Sequence, residues 1–246
     1  LDTFAVKNLN GRESMEDITK QKQDTKAKLI MAATHIGCIL DIPPRSLDAL
    51  RQADLLIFEE DRPARAALKA AGIHREYMKL SEHVEKDTLE QTRSAFKRGL
   101  SVCYMSDQGM PVIADPGQKL LKMAYEMNVQ VTVIPGASSI TATLAACPFL
   151  NNSFRYLGFL PKDKIQREKA ITSLKGAPEP IVIMETPYRR KHLLQSLVSI
   201  LGGKRQAFIG YDISGPNESF QLGGLEKLDQ NSPEAKLNFV IVIDRA

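Results

Sequence analysis

Three clusters in the sequence combine residue types that can do chemistry. Ser106-Asp107-Gln108-Gly109-Met110-Pro111 is followed closely by Asp115-Pro116-Gly117. Glycine there permits a positive φ and close approach of a ligand to the backbone. Asp107 can accept hydrogen bonds from hydroxyls or an ammonium, and bare N–H groups can take a carboxylate. Pro135-Gly136-Ala137-Ser138-Ser139 joins an apolar run to a helix-like stretch, so small side chains leave room where helix N–H groups point at a ligand. Met184-Glu185-Thr186-Pro187-Tyr188-Arg189 has its proline placed for the first turn of a helix. Plainer readings stand beside these. The first cluster equally describes two tight turns, the second a serine N-cap, and Glu185 with Arg189 a helix-end ion pair.

The elements around these clusters follow from hydropathy. Apolar runs at 29–33, 54–58, 101–105 and 129–134 alternate with helical stretches at 45–53, 62–71, 86–98, 118–127 and 137–146. That alternation signals βαβ units and a mostly parallel sheet, and a short strand is expected at 77–80. All three clusters then lie where strands end, which is where open α/β sheets bind ligands. The pattern breaks at 147–152, so a boundary is placed there. Beyond it, strands at 154–158, 181–184, 205–211, 218–222 and 237–243 outnumber helices at 165–174 and 187–201, which predicts a mixed sheet. The expected organisation is a polar N-terminal extension (1–27), an α/β domain (28–150) and a second α/β domain (151–246). The fold class is α/β, two α/β/α domains with a ligand cleft between them.

Composition narrows the function. No G-x-G-x-x-G follows any strand and no P-loop lysine motif exists, which disfavours nicotinamide and nucleoside triphosphate enzymes. The three cysteines form no C-x-x-C pair and the four histidines show no ligand spacing, so no metal is expected. Scattered cysteines and the lack of a secretory pattern point to a reducing, cytoplasmic setting. No apolar run is long enough for a membrane helix. A net charge of +4 tilts modestly towards a polyanionic partner such as RNA.

Taken in order, the motifs resemble a known family. ATHIG (33–37), DLLIFEEDRPAR (54–65), SDQGMP with DPG (106–117), PGASS (135–139), GFLP (158–161) and ETPYR (185–189) follow one another as in the ribosomal small-subunit RNA ribose 2′-O-methyltransferase I family. That family sits within the tetrapyrrole methylase superfamily, the class III methyltransferases. The resemblance covers residues 29–243. It implies S-adenosylmethionine bound between two α/β domains, S-adenosylhomocysteine as product, a homodimer, and ribosomal RNA or the small ribosomal subunit as partner. It places His35, Asp107, Gly109, Met110, Ser138, Ser139, Ile140, Met184, Tyr211 and Asn238 around the cofactor. The chain departs from the family at 211–215, where YDISG stands for a basic R-E-L-T-K segment, and at Cys38, which stands for an asparagine. Two other readings therefore stay open, a tetrapyrrole methylase and a cofactor-binding protein without catalysis.

A ribose hydroxyl is a poor nucleophile until it loses its proton. Glu59, Glu60, His83 and Glu185 are the candidates to take it. Glu60 is expected from the family's acidic pair, and His83 from a family histidine in the following loop. The glutamates equally read as partners of Arg62 and Arg65, and His83 as a solvated loop residue. Arg62, Arg65 and Arg189, with Lys162, Lys164, Arg167 and Arg190 beside them, are expected to meet RNA phosphates.

Overall fold

A computed structural model describes residues 26–81, 85–113, 115–150 and 152–246. The expected N-terminal extension therefore lies almost wholly outside the described residues, as does His83. The N-terminal half runs β1 (Lys28–Ala32), α1 (Pro44–Gln52), β2 (Leu55–Phe58), α2 (Asp61–Ala70), β3 (Met78–Lys79), α3 (Glu85–Lys97), β4 (Ser101–Met105), α4 (Gly117–Glu126), β5 (Gln130–Ile134) and α5 (Ser139–Ala146). Its five strands are all parallel, in the order β3-β2-β4-β1-β5. Successive residues of a strand point to opposite faces, and here both faces are covered, which is why β2 and β4 read as unbroken apolar runs. Leu56, Phe58, Cys103 and Met105 pack under α1 and α2. Leu29, Val102 and Tyr104 pack under α3 and α4.

The C-terminal half runs β6 (Arg155–Phe159), α6 (Lys164–Thr172), β7 (Ile181–Glu185), α7 (Arg190–Leu201), β8 (Gln206–Tyr211), β9 (Ser219–Gly224), α8 (Leu225–Gln230) and β10 (Phe239–Ile243). Its sheet is mixed, in the order β6-β7-β10-β8-β9, with only the β6–β7 pair parallel. One face, carrying Ile183, Ile209 and Ile241, is covered by α6, α7 and α8. The other face, carrying Val182, Phe208, Val240 and Val242, packs against Ile140 and Leu144 of α5. The second sheet thus completes its layers with a helix supplied by the first half. The small residues of α5 let it lie close against β10 of that sheet. Gly210 belongs to this contact, since a Cβ there would come within 3.1 Å of Thr143 Oγ1.

Among the described residues no helix is long and apolar enough to cross a membrane. The short helix α8 was not expected from the sequence. Two 3-10 turns were not expected either, at Ile39–Asp41 and at Pro187–Arg189. The second turn delays the start of α7 to Arg190, three residues later than proline placement suggests.

Candidate functional site

Strand register decides which loops can meet. Ala32 of β1 pairs with Met105 of β4 on one side and Ile134 of β5 on the other, and Phe58 pairs with Met105. The chain therefore leaves β1, β2, β4 and β5 along a single edge, and the four motif loops that follow them emerge side by side. Two backbone bonds tie the loops after β1 and β4: Thr34 N–H donates to Gly109 O, and Gly109 N–H to His35 O, both at 2.9 Å. Gly109 has φ 71°, and a Cβ there would sit 3.0 Å from Ala137 O and from Ile36 Cγ2. Only glycine fits that crossing of three loops. The Ser138 side chain makes no capping hydrogen bond, so the plain N-cap reading of PGASS is set aside.

In the second sheet, Phe239 pairs with both Glu185 and Tyr211. This brings the exit of β7, the 212–215 segment and Asn238 together, and Asp212 N–H donates to Asn238 O at 2.8 Å. The GFLP motif works through a bulge. Tyr156 pairs with Val182, but the next paired residue is Gly158, opposite Ile183, so Leu157 is the extra residue. Gly158 takes the required positive φ, 67°. The shift puts Phe159 opposite Met184, on the same side as Tyr156, and leaves it 45 % exposed. Tyr156 fixes the neighbour, its hydroxyl lying 3.1 Å from Met184 Sδ.

These two edges face each other across a cleft. Three adjoining cavities share Gln108 and Met184 among their walls. The widest, about 740 Å³, is lined by His35, Glu59, Arg62, Asp107, Phe159 and Asn238 among others. The second, about 170 Å³, runs between Ile36 and Ser139 on one side and Glu185, Asp212 and Asn238 on the other. The third is bounded by Gly109, Met110, Ser138, Ser139 and Ile140.

The cleft floor is acidic. Glu59 Oε1 accepts Asp107 N–H at 3.0 Å and lies 3.3 Å from the Tyr104 hydroxyl. Asp115 Oδ1 accepts that hydroxyl at 2.9 Å and Gly117 N–H at 2.8 Å. Its other oxygen takes Val112 N–H, which holds Val112 at φ 75°. A β-branched residue in that region is strained, and Asp115 is the group that sustains it. Burial, opposed by the Asp107 N–H and reinforced by the charges of Asp107 and Asp115, pushes the Glu59 carboxyl up to about 7. Burial also raises Asp107 and carries the Tyr104 phenol far above its ordinary range.

Most of the expected site residues reach this cleft: His35, Asp107, Gly109, Met110, Ser138, Ser139, Ile140, Met184, Asn238, Glu185 and Arg62 all line it. Four do not. Glu60 points outward at the N-cap of α2 and contributes its N–H to Asp107 Oδ1 at 3.1 Å; its neighbour Glu59 faces the cavity instead. Tyr211 is fully buried on the helix-covered face of its sheet, against Arg190 and Phe239, because strand alternation gives the cleft-facing side to Gly210. Arg65 is exposed on α2, outside the cleft walls. Arg189 is occupied with Glu185 and, at 2.7 Å, with Leu160 O. The Glu185 side chain is 1 % exposed in that pair, and its other oxygen takes Thr186 N–H at 2.7 Å. The helix-end ion pair is therefore present, and it pins the β7 loop to the GFLP loop. Sequence reasoning missed Ile36, Gln108, Ile113, Asp115 and Phe159 as wall residues. All except Ile113 stand inside the motifs, so the signal was there, but which motif side chains face the ligand depends on turns and on the bulge.

The sequence profile of the tetrapyrrole (corrin/porphyrin) methylases matches residues 28–229. A protein of Mesorhizobium japonicum named ribosomal RNA small subunit methyltransferase I is 34% identical over 81% of this chain and 68% of its own length. A protein of the same name from Thermotoga maritima is 30% identical over 87% of this chain and 97% of its own length. Among solved structures, a cobalt precorrin-4 methyltransferase superposes with a TM-score of 0.64 at 14% identity, covering 89% of this chain and 95% of that one. A uroporphyrin-III C-methyltransferase of Thermus thermophilus gives 0.59 at 14% identity, covering 89% and 94%; at such identities these two speak for the fold alone. Five parallel strands followed by a mixed sheet, the ordered motif loops between them and the profile match agree: the chain belongs to the tetrapyrrole (corrin/porphyrin) methylase family.

Proposed function

We propose that this chain methylates a ribose 2′-hydroxyl of small-subunit ribosomal RNA, with S-adenosylmethionine held in the cleft. One observation carries the reading: in a chain 30–34% identical to relatives of that name, the motif loops build a single cleft from both halves. The cleft suits the cofactor. Gly109 lets three loops cross closely and itself lines the cleft, and His35 lines the cavity with its Nδ1 buried and unpartnered. In this proposal Ser138, Ser139 and Ile140 hold the amino-acid end from α5, Asp107 and Met110 hold the ribose side, and Met184, Phe159 and Asn238 receive the flat adenine. Bound S-adenosylmethionine supplies an electrophilic methyl group: the carbon–sulfur bond breaks with its electron pair left on sulfur, while the hydroxyl oxygen bonds the carbon and gives up its proton. The residues of the chain contribute orientation of the nucleophile and exclusion of water. Arg62, exposed at the cavity wall, is placed for an RNA phosphate.

Each sheet with its helices is taken as one domain, with the boundary after residue 150. A cytoplasmic homodimer is the setting that the substrate and the resemblance together imply. The test is methyl transfer from labelled cofactor to undermethylated small ribosomal subunits, with the product mapped as a 2′-O-methyl ribose. Uroporphyrinogen III serves as the parallel substrate. Label in the tetrapyrrole instead of the RNA overturns the reading, and cofactor binding without label in either favours a non-catalytic binder.

A further inference from the structure

We infer that Glu59, and not its neighbour Glu60, takes the proton from the methyl-accepting hydroxyl, using the carboxylate oxygen that faces the cleft while the other oxygen stays fixed. The inference rests on the proposed methyl transfer to a hydroxyl and names the group that makes it possible.

The hydrogen-bond frame carries the argument. The Asp107 N–H donates to Glu59 Oε1, and the Tyr104 hydroxyl lies 3.3 Å from the same oxygen. Oε2 accepts no hydrogen bond among the described residues, and the side chain lines the wide cavity. A carboxylate held this way can be protonated on Oε2 without losing a partner, because Oε1 remains an acceptor in the neutral acid. Tyr104 adds to this. Its single hydrogen lies nearer Asp115 Oδ1, at 2.9 Å, than Glu59 Oε1, at 3.3 Å. Asp115 in turn is fixed by Gly117 and Val112 N–H groups. Glu59 Oε1 is thus held by the Asp107 N–H beside a phenol that Asp115 fixes, and a base works best when held in place.

The groups facing Glu59 set when it is charged. Asp107 and Asp115 lie on the loop after β4, Tyr104 on β4 itself, Arg62 on α2 and His35 on the loop after β1. Two carboxylates and burial favour the neutral acid. A sulfonium cation in the same cleft favours the carboxylate. Cofactor binding therefore releases a proton from Glu59 and leaves it able to take the substrate's. The hydroxyl proton passes to Oε2 as the oxygen–carbon bond forms, and leaves to water through the open cavity once the neutral product has departed.

Calorimetric titration of the full chain near pH 7, in two buffers of different ionisation enthalpy, reads the first step without any activity. S-adenosylmethionine should release a fraction of a proton more than S-adenosylhomocysteine does, and Glu59→Gln should abolish that excess with affinity retained. An excess unchanged in Glu59→Gln overturns the assignment. Activity reads the second step: on small subunits, Glu59→Gln should lower kcat by about a hundredfold or more and remove the rise in rate through neutral pH, while Glu60→Gln keeps both. Wild-type activity with Glu59→Gln unimpaired refutes the base alone. A wild-type chain that binds cofactor yet methylates no RNA refutes the RNA reading, and the base with it.

Discussion

Ser214 of the second half reaches the first half at Asp41: its hydroxyl donates to the Asp41 carboxylate and also accepts Cys38 N–H at 3.2 Å. Gly37 lies beneath this contact, where a Cβ would come 2.5 Å from Ser214 C and Gly215 N. The 212–215 turn is internally fixed, with Asp212 accepting Asn217 N–H and Glu218 accepting Ser214 N–H. The YDISG departure from the family's basic segment is thus a self-contained turn that latches the cleft, beside Ile36 and Ile213 in the cavity wall. Ser214→Ala removes two hydrogen bonds worth about 1 kcal/mol each. Cofactor affinity should fall by roughly fivefold to tenfold, read by calorimetry. Unchanged affinity would mean that backbone packing at Gly37 alone holds the two halves.

Gly109→Ala tests the loop crossing more severely. Alanine at φ 71° carries a left-handed penalty of about 1–2 kcal/mol, and its Cβ would press on Ala137 O at 3.0 Å. The loops after β1, β4 and β5 must then separate. The expected result is a folded chain with cofactor binding weakened by at least about tenfold. Retention of wild-type affinity would show that no ligand depends on this crossing.

Much of the frame was legible because apolar runs of strand length flanked by helix-period stretches have few other readings. Ser101–Met105 and the two sheets follow from it. The side-chain directions did not. Glu59 and Glu60 are adjacent, and only the geometry of the β2 exit gives the cavity to Glu59 and the N-cap to Glu60. Tyr211 matched a motif position, but strand alternation turns it into the helix-covered core. Helix α8 spans six residues, Leu225–Gln230, too few for a periodicity to declare itself, and it forms because Leu225 and Leu228 are buried against the sheet.

Phe159 faces the cleft only because of the bulge at Leu157 and Gly158. It is 45 % exposed, so Phe159→Ala should change stability by no more than about 0.5 kcal/mol. If the ring stacks on adenine, cofactor affinity should drop by roughly tenfold, a loss of about 1–1.5 kcal/mol. A variant as stable as wild type with unaltered binding removes Phe159 from the cofactor site.

Glu185 and Arg189 make the opposite prediction, a stability effect. The Glu185 side chain is 1 % exposed and Arg189 23 %, so deleting the arginine strands a buried carboxylate. Arg189→Ala should cost about 3–5 kcal/mol, and Arg189→Met paired with Glu185→Leu should recover much of it. Chemical denaturation of the single and double variants decides this. A loss below about 1 kcal/mol for Arg189→Ala would mean that water reaches Glu185.

The stability of the chain should also respond to Glu59, with a sign opposite to that of a salt-bridged carboxylate. The native chain holds this proton up to about 7, against 4.5 for an ordinary glutamate. Between those values the native state binds more protons than the unfolded one, so stability falls as pH rises. The contribution is complete below the ordinary glutamate range and gone above neutrality. Glu59→Gln cannot ionise and keeps the Oε1 acceptor for Asp107 and Tyr104. Its Tm should therefore drop less than that of wild type between about pH 5 and about pH 8, leaving the variant the more stable chain at the alkaline end. Glu59 is partly open to the cavity, and screening keeps the difference small, about 1–3 °C in Tm. Thermal unfolding of both chains across that range checks it: parallel Tm profiles would show that the carboxylate is solvated in the folded protein, and the argument for a proton-accepting Glu59 would lose its electrostatic support.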